Sequence, residues 1–151
     1  GQQEESLRSG TEPLLSIAGF GEAAKRINKK NMNEVKKIKD YFEKKLKSIN
    51  LGIKIIGENS NRLPNTFMMY IPEIKADTLL IALDLEGFEV STGSACSSGK
   101  AEPSSVIVKM GFSKTIANGV IRISLGYDNT LVEVDKFIAS LIKIVKRIKR
   151  V

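Results

Sequence analysis

The chain has 151 residues, 42% hydrophobic and 27% charged, the size and composition of one soluble globular domain able to bury a core. No apolar run approaches a membrane span and the N-terminus shows no signal-peptide pattern, while a lone cysteine cannot close an internal disulfide; a cytoplasmic protein with no membrane association is expected. The absence of histidine excludes a thiolate–imidazole zinc site and a Cys–His catalytic pair built from this chain, and no metal is expected.

The net charge is +7, and ten of the 24 basic residues lie between Lys25 and Lys47. A solvated helix face accounts for that run. Nucleic-acid binding would call for interleaved aromatics or a recognisable motif, and neither is present; an acidic protein partner stays open.

Residues 1–12 are polar and read as loop. From Pro13, the segment with Leu14, Leu15, Ile17, Ala18 and Phe20 suits a helix. Its Gly19 and Gly21 fit a buried helix that another element approaches closely. Asn31 or Asn33 can cap a long helix to about Ile49, with Val35, Ile38, Phe42, Leu46 and Ile49 on one face. Ile53–Ile56 and Thr66–Ile71 read as strands, and Asp77 can cap a helix through Leu85 that Gly87 stops. A brief strand over Phe88–Ser91 leads into a run of Ser, Gly and Ala. Pro103 suits the first turn of a short helix to Met110, Val120–Leu125 alternates as a half-buried strand, and Thr130 with Glu133 forms a capping box for the last helix. The order suits an α+β fold, an antiparallel or mixed sheet with helices packed on one side.

Cys96 stands within that small-residue run, STGSACSSGKAEPS. Little there can pack, so the run should lie on the surface. Composition alone leaves it evenly balanced between a linker with an incidental thiol and a loop bearing a nucleophile. A nucleophile would need a Lys, an Arg, a cofactor or another chain to activate it. Lys100 is close in sequence and could at most favour the thiolate.

Three separated motifs resemble one family. STGSACSSGKAEPS, residues 91–104, is similar to the active-cysteine loop of the NifS/IscS-type cysteine desulfurases, class V aminotransferase-family enzymes that depend on pyridoxal 5'-phosphate. RSGTE, Arg8 to Glu12, resembles the family segment whose threonine contacts the cofactor phosphate of the neighbouring subunit. IRISLG, Ile121 to Gly126, resembles the strand whose arginine holds the substrate carboxylate. The cysteine loop is the specific signal; either other motif alone would be weak, and Pro13 stands where many relatives have asparagine.

The resemblance implies that Cys96 attacks the sulfur of L-cysteine, leaving L-alanine and a persulfide on Cys96. The sulfur would then pass to an iron–sulfur scaffold protein or another acceptor, for cluster assembly or thiolation. It assigns substrate binding to Arg122, where a guanidinium can take a carboxylate with two hydrogen bonds. It assigns cofactor-phosphate binding to Thr11, whose hydroxyl and amide beside a glycine suit a phosphate oxygen. Arg8 is left as a structural or solvated cation.

The family's Schiff-base lysine sits in a Ser-His-Lys-type segment. This chain has no histidine, so none of its lysines takes that role by position. By resemblance, residues 1–26 are the trailing end of a large cofactor domain of a fold-type I transferase, and residues 27–151 are its C-terminal small domain. The opening on Gly1 suits either an added tag or the tail of a longer polypeptide. A homodimer is implied for the complete enzyme, and inactivity for this portion alone. The alternative reading is a cofactor-free persulfide carrier or regulatory module derived from the same family.

Overall fold

The computed structural model describes residues 3–27, 29–93 and 103–150. Its centre is a four-stranded antiparallel sheet of β1 (Lys54–Ile55), β2 (Thr66–Tyr70), β3 (Ser91–Thr92) and β4 (Val120–Ser124), in the order β1-β2-β4-β3. The β2–β4 pairing is the longest, running from Thr66 opposite Ser124 to Tyr70 opposite Val120.

The period-two alternation of strand side chains divides the interior into two cores. Phe67, Met69, Ile121 and Ile123 face the larger one. It is closed by α2 (Lys29–Ser48), α3 (Ala76–Asp84) and α6 (Leu131–Lys149). Phe42 of α2 meets both Phe67 and Phe137 edge-to-face, at centroid distances of 5.2 and 4.9 Å. Such geometry favours aromatic pairs beyond the area they bury.

Tyr70 and Val120 face the other way, into a smaller core with Ile56, Ile107 and Ala117. That face is covered by α4 (Ser105–Lys109) and α5 (Lys114–Gly119). The expected one-sided arrangement thus describes the three long helices, while two short ones lie on the opposite face. Gly119 permits their close approach: a Cβ there would stand 2.6 Å from the Tyr70 ring.

Several local expectations are corrected. Asn31 and Asn33 lie inside α2, which starts at Lys29, so neither caps it. The strand expected over Phe88–Ser91 is confined to Ser91–Thr92. Asp77 lies inside the first turn of α3, whose cap position is Lys75 with no side-chain hydrogen bond. The apolar segment after Pro13 forms α1 (Leu14–Arg26) with no buried residue, so Gly19 and Gly21 serve no close contact among the described residues. The helix expected through Leu85 ends at Asp84; Leu79, Ala82 and Leu83 are buried, while Ile81 and the C-cap Leu85 are exposed.

The capping box is present as the sequence implies. Glu133 N donates to Thr130 Oγ1 at 3.3 Å, and Thr130 N donates to Glu133 Oε2 at 2.7 Å. These bonds satisfy orphan donors at the start of α6. A second polar feature pins the 57–65 connection to α2. Arg62 donates two bonds to Glu43, at 2.7 and 2.9 Å, and Lys39 Nζ donates to the Leu63 carbonyl at 3.0 Å. Both Lys39 and Glu43 are buried.

Candidate functional site

Arg122 is held at the centre of the sheet, with Met68 opposite it on β2 and Ser91 opposite it on β3. It shares its face with Val120, the face that α4 and α5 only partly cover. The arginine is half-buried, and among the described residues no hydrogen bond or ion pair engages its guanidinium. A cation so placed, on a rigid strand and partly desolvated, is suited to a carboxylate brought from outside.

β3 leads directly to the cysteine segment. Gly93 N donates to the Val120 carbonyl at 3.0 Å, continuing the β3–β4 pairing past Thr92. On the far side of the segment, Ser104 is buried. A Cβ on Gly93 would lie 3.4 Å from the Ser104 Cβ and 3.6 Å from the Val120 carbonyl oxygen. Both ends of the segment 94–102 are therefore fixed at one place beside β4, two residues from Arg122 in the ladder. Cys96 and Lys100 themselves lie outside the described residues.

Thr11 is elsewhere. It is exposed in the irregular stretch ahead of α1, beside Gly10 with φ 95°, and no described hydrogen bond joins it to the sheet. Its hydroxyl is presented to whatever approaches that stretch. Sequence reasoning ended this strand at Ser91 and missed Thr92 and Gly93, whose pairing with β4 continues towards the cysteine segment. The Ser-Thr-Gly at the start of the motif was the available signal, because a glycine at a strand end marks a close backbone approach.

The described residues do not assemble a pyridoxal phosphate site: Thr11 stands apart from the sheet that bears Arg122. Thr11 and the neighbouring backbone can meet a phosphate. The one buried lysine among residues with described side chains, Lys39, is committed to the Leu63 carbonyl.

Residues 1–137 match the family model described as aminotransferase class-V. The chain belongs to that family. Members of the class V aminotransferase family depend on pyridoxal phosphate. This member is NifS/IscS-like. It is 33% identical to the cysteine desulfurase IscS of Dictyoglomus turgidum, covering 100% of this chain and 39% of that one. It is 35% identical to the cysteine desulfurase NifS of Azotobacter vinelandii, covering 100% and 38% respectively. Among solved structures, a NifS-like protein from Rickettsia africae superposes with a TM-score of 0.82 at 38% identity, over 97% of this chain and 38% of that one. The chain thus spans about two-fifths of the length of the curated relatives it matches.

Among the described residues, no helix is long and apolar enough to cross a membrane.

Proposed function

We propose that this chain is the sulfur-carrying portion of a cysteine desulfurase, with residues 27–151 as its small domain and residues 1–26 as the trailing end of a cofactor domain. The observation that carries the reading is the convergence of both ends of the cysteine segment on the strand that bears Arg122. An arginine orienting the substrate and a thiol attacking it must work on the same molecule, and the approach of the flanking Gly93 and Ser104 to β4 supports that reading.

In this reading Arg122 takes the carboxylate of L-cysteine through a paired hydrogen bond, fixing the direction in which the thiol of the substrate points. Thr11 contributes to the phosphate end of the cofactor. Pyridoxal phosphate, when bound, supplies the electron sink that activates the substrate. Cys96 attacks the substrate sulfur as thiolate. An S–S bond forms, the C–S bond breaks, and its electron pair goes to the carbon that takes up a proton as the methyl group of L-alanine. The persulfide on Cys96 then passes to a thiol of an acceptor, such as an iron–sulfur scaffold protein. The complete enzyme works as a homodimer in the cytoplasm.

The test is reconstitution. The chain is coexpressed with the portion of a NifS relative that precedes the matching segment, and alanine release from L-cysteine is measured with pyridoxal phosphate present. Alanine is expected from the wild-type pair and not from Cys96→Ser. A stable complex that releases no alanine, or one in which Cys96→Ser is equally active, overturns the reading.

A further inference from the structure

The two long basic helices differ in how their charge is balanced. On α2, Lys36 pairs with Asp40, Lys37 with Glu34, Lys45 with Asp135 and Lys47 with Glu58, while Lys39 is buried. Of the lysines of α2 with described side chains, only Lys44 is thus exposed without an ion pair among the described residues. On α6 the opposite holds. From Lys136 to Arg150 there is no Asp or Glu. Lys136, Lys143, Lys146, Arg147 and Arg150 are all exposed, and among the described residues none of them makes an ion pair.

At 3.6 residues per turn these five fall within about 100° of one another, on the side opposite Leu141 and Val145. The stripe is about 21 Å long, from fourteen residues at 1.5 Å each. Cations in the last turn complement the helix dipole, but that effect fades within one turn and leaves Lys136 and Lys143 unexplained.

We infer that this outer stripe of α6 is a docking surface for an acidic protein segment, a helix or strand that presents carboxylates along one edge. Charge complementarity selects an anionic partner. The same arc holds no aromatic side chain on which a base could stack. The apolar face of α6 is committed to the core through Phe137, Leu141, Ile144 and Val145, so the helix cannot insert into a lipid surface. Ala139, small and exposed within the stripe, leaves room for a partner backbone to come close. The surface belongs to the sheet face remote from Arg122, so binding there is separate from the sulfur chemistry.

The test is fluorescence anisotropy with the full chain and two labelled probes. One is a Glu-rich helical peptide about 20 residues long, enough to span the stripe; the other is an oligouridylate of the same net charge. Both variants change only exposed residues: Lys143→Glu with Arg147→Glu on α6, and Lys36→Glu with Lys37→Glu on α2. Circular dichroism confirms that each remains folded, with the corresponding alanine pair on α6 as a second stripe variant. The peptide is expected to bind, with the α6 changes weakening it about 10-fold or more and the α2 changes by less than about 3-fold. Absence of peptide binding at low salt, equal losses from both helices, or tighter binding of the oligouridylate overturns the inference.

Discussion

Arg122 stands directly opposite Ser91 in the pairing of β4 with β3, and Ser91 is two residues ahead of the glycine from which the cysteine segment departs. Backbone hydrogen bonds therefore tie the strand that leads into the cysteine segment to the strand that bears Arg122.

Replacing Arg122 with lysine keeps a positive charge but removes the fork that takes a carboxylate with two bonds. In the reconstituted enzyme, Arg122→Lys is expected to raise KM for L-cysteine about 10-fold or more, the equivalent of one charge-assisted hydrogen bond, with melting temperature nearly unchanged. Steady-state alanine release checks it. An unchanged KM would remove Arg122 from the site.

The Arg62–Glu43 pair tests how the 57–65 connection is held. Both side chains are largely buried, at 19% and 11% exposure, and Arg62 Nε is buried with no partner among the described residues. Removing one charge leaves the other desolvated and unpaired. Glu43→Ala should cost about 2–3 kcal/mol in urea unfolding, somewhat less than for a fully buried pair. Replacing both residues by methionine should recover most of that loss, since an apolar pair of similar volume incurs no charge-burial cost.

The capping box gives a pH dependence of known sign. The Thr130 backbone amide, and then its hydroxyl, hold the Glu133 carboxyl below the usual carboxylate range. A depressed folded pKa contributes stability that is fully present above the unfolded value and is lost as pH falls through the folded one. The melting-temperature gap between wild type and Glu133→Gln should therefore be widest near neutrality and close as the solution is acidified below the carboxylate range. Thr130→Ala, which removes the other half of the box, should cost about 1 kcal/mol near neutral pH.

Much of the fold was legible because it follows local rules. The stripe of Val35, Phe42 and Leu46 located α2, the alternation around Arg122 located β4, and Thr130 with Glu133 located the start of α6. α5 was not legible, since Lys114–Gly119 is six residues long with a glycine at its end and carries no amphipathic period. The buried Lys39 and Glu43 were equally hidden. On the sequence they look like members of a solvated lysine run, and only the returning 57–65 connection buries them. α1 misled for a related reason: an apolar stripe reports that a face suits burial, without saying which element of the described residues covers it.

Of the candidate site, the residue types were readable and their relation was not. Arg122 and the cysteine motif lie about 25 residues apart in the chain, and only strand pairing brings Gly93 against Val120. Thr11 is exposed, with no described hydrogen bond to the sheet, so its proposed role rests on the family likeness.

The central claim, that Cys96 carries sulfur, is tested most directly by intact-mass measurement of the chain after turnover of L-cysteine in the reconstituted enzyme. The account predicts a gain of one sulfur atom on the wild-type chain, removed by a thiol reductant and absent from Cys96→Ser. No gain on the wild type during active alanine release, or the same gain on Cys96→Ser, would contradict it.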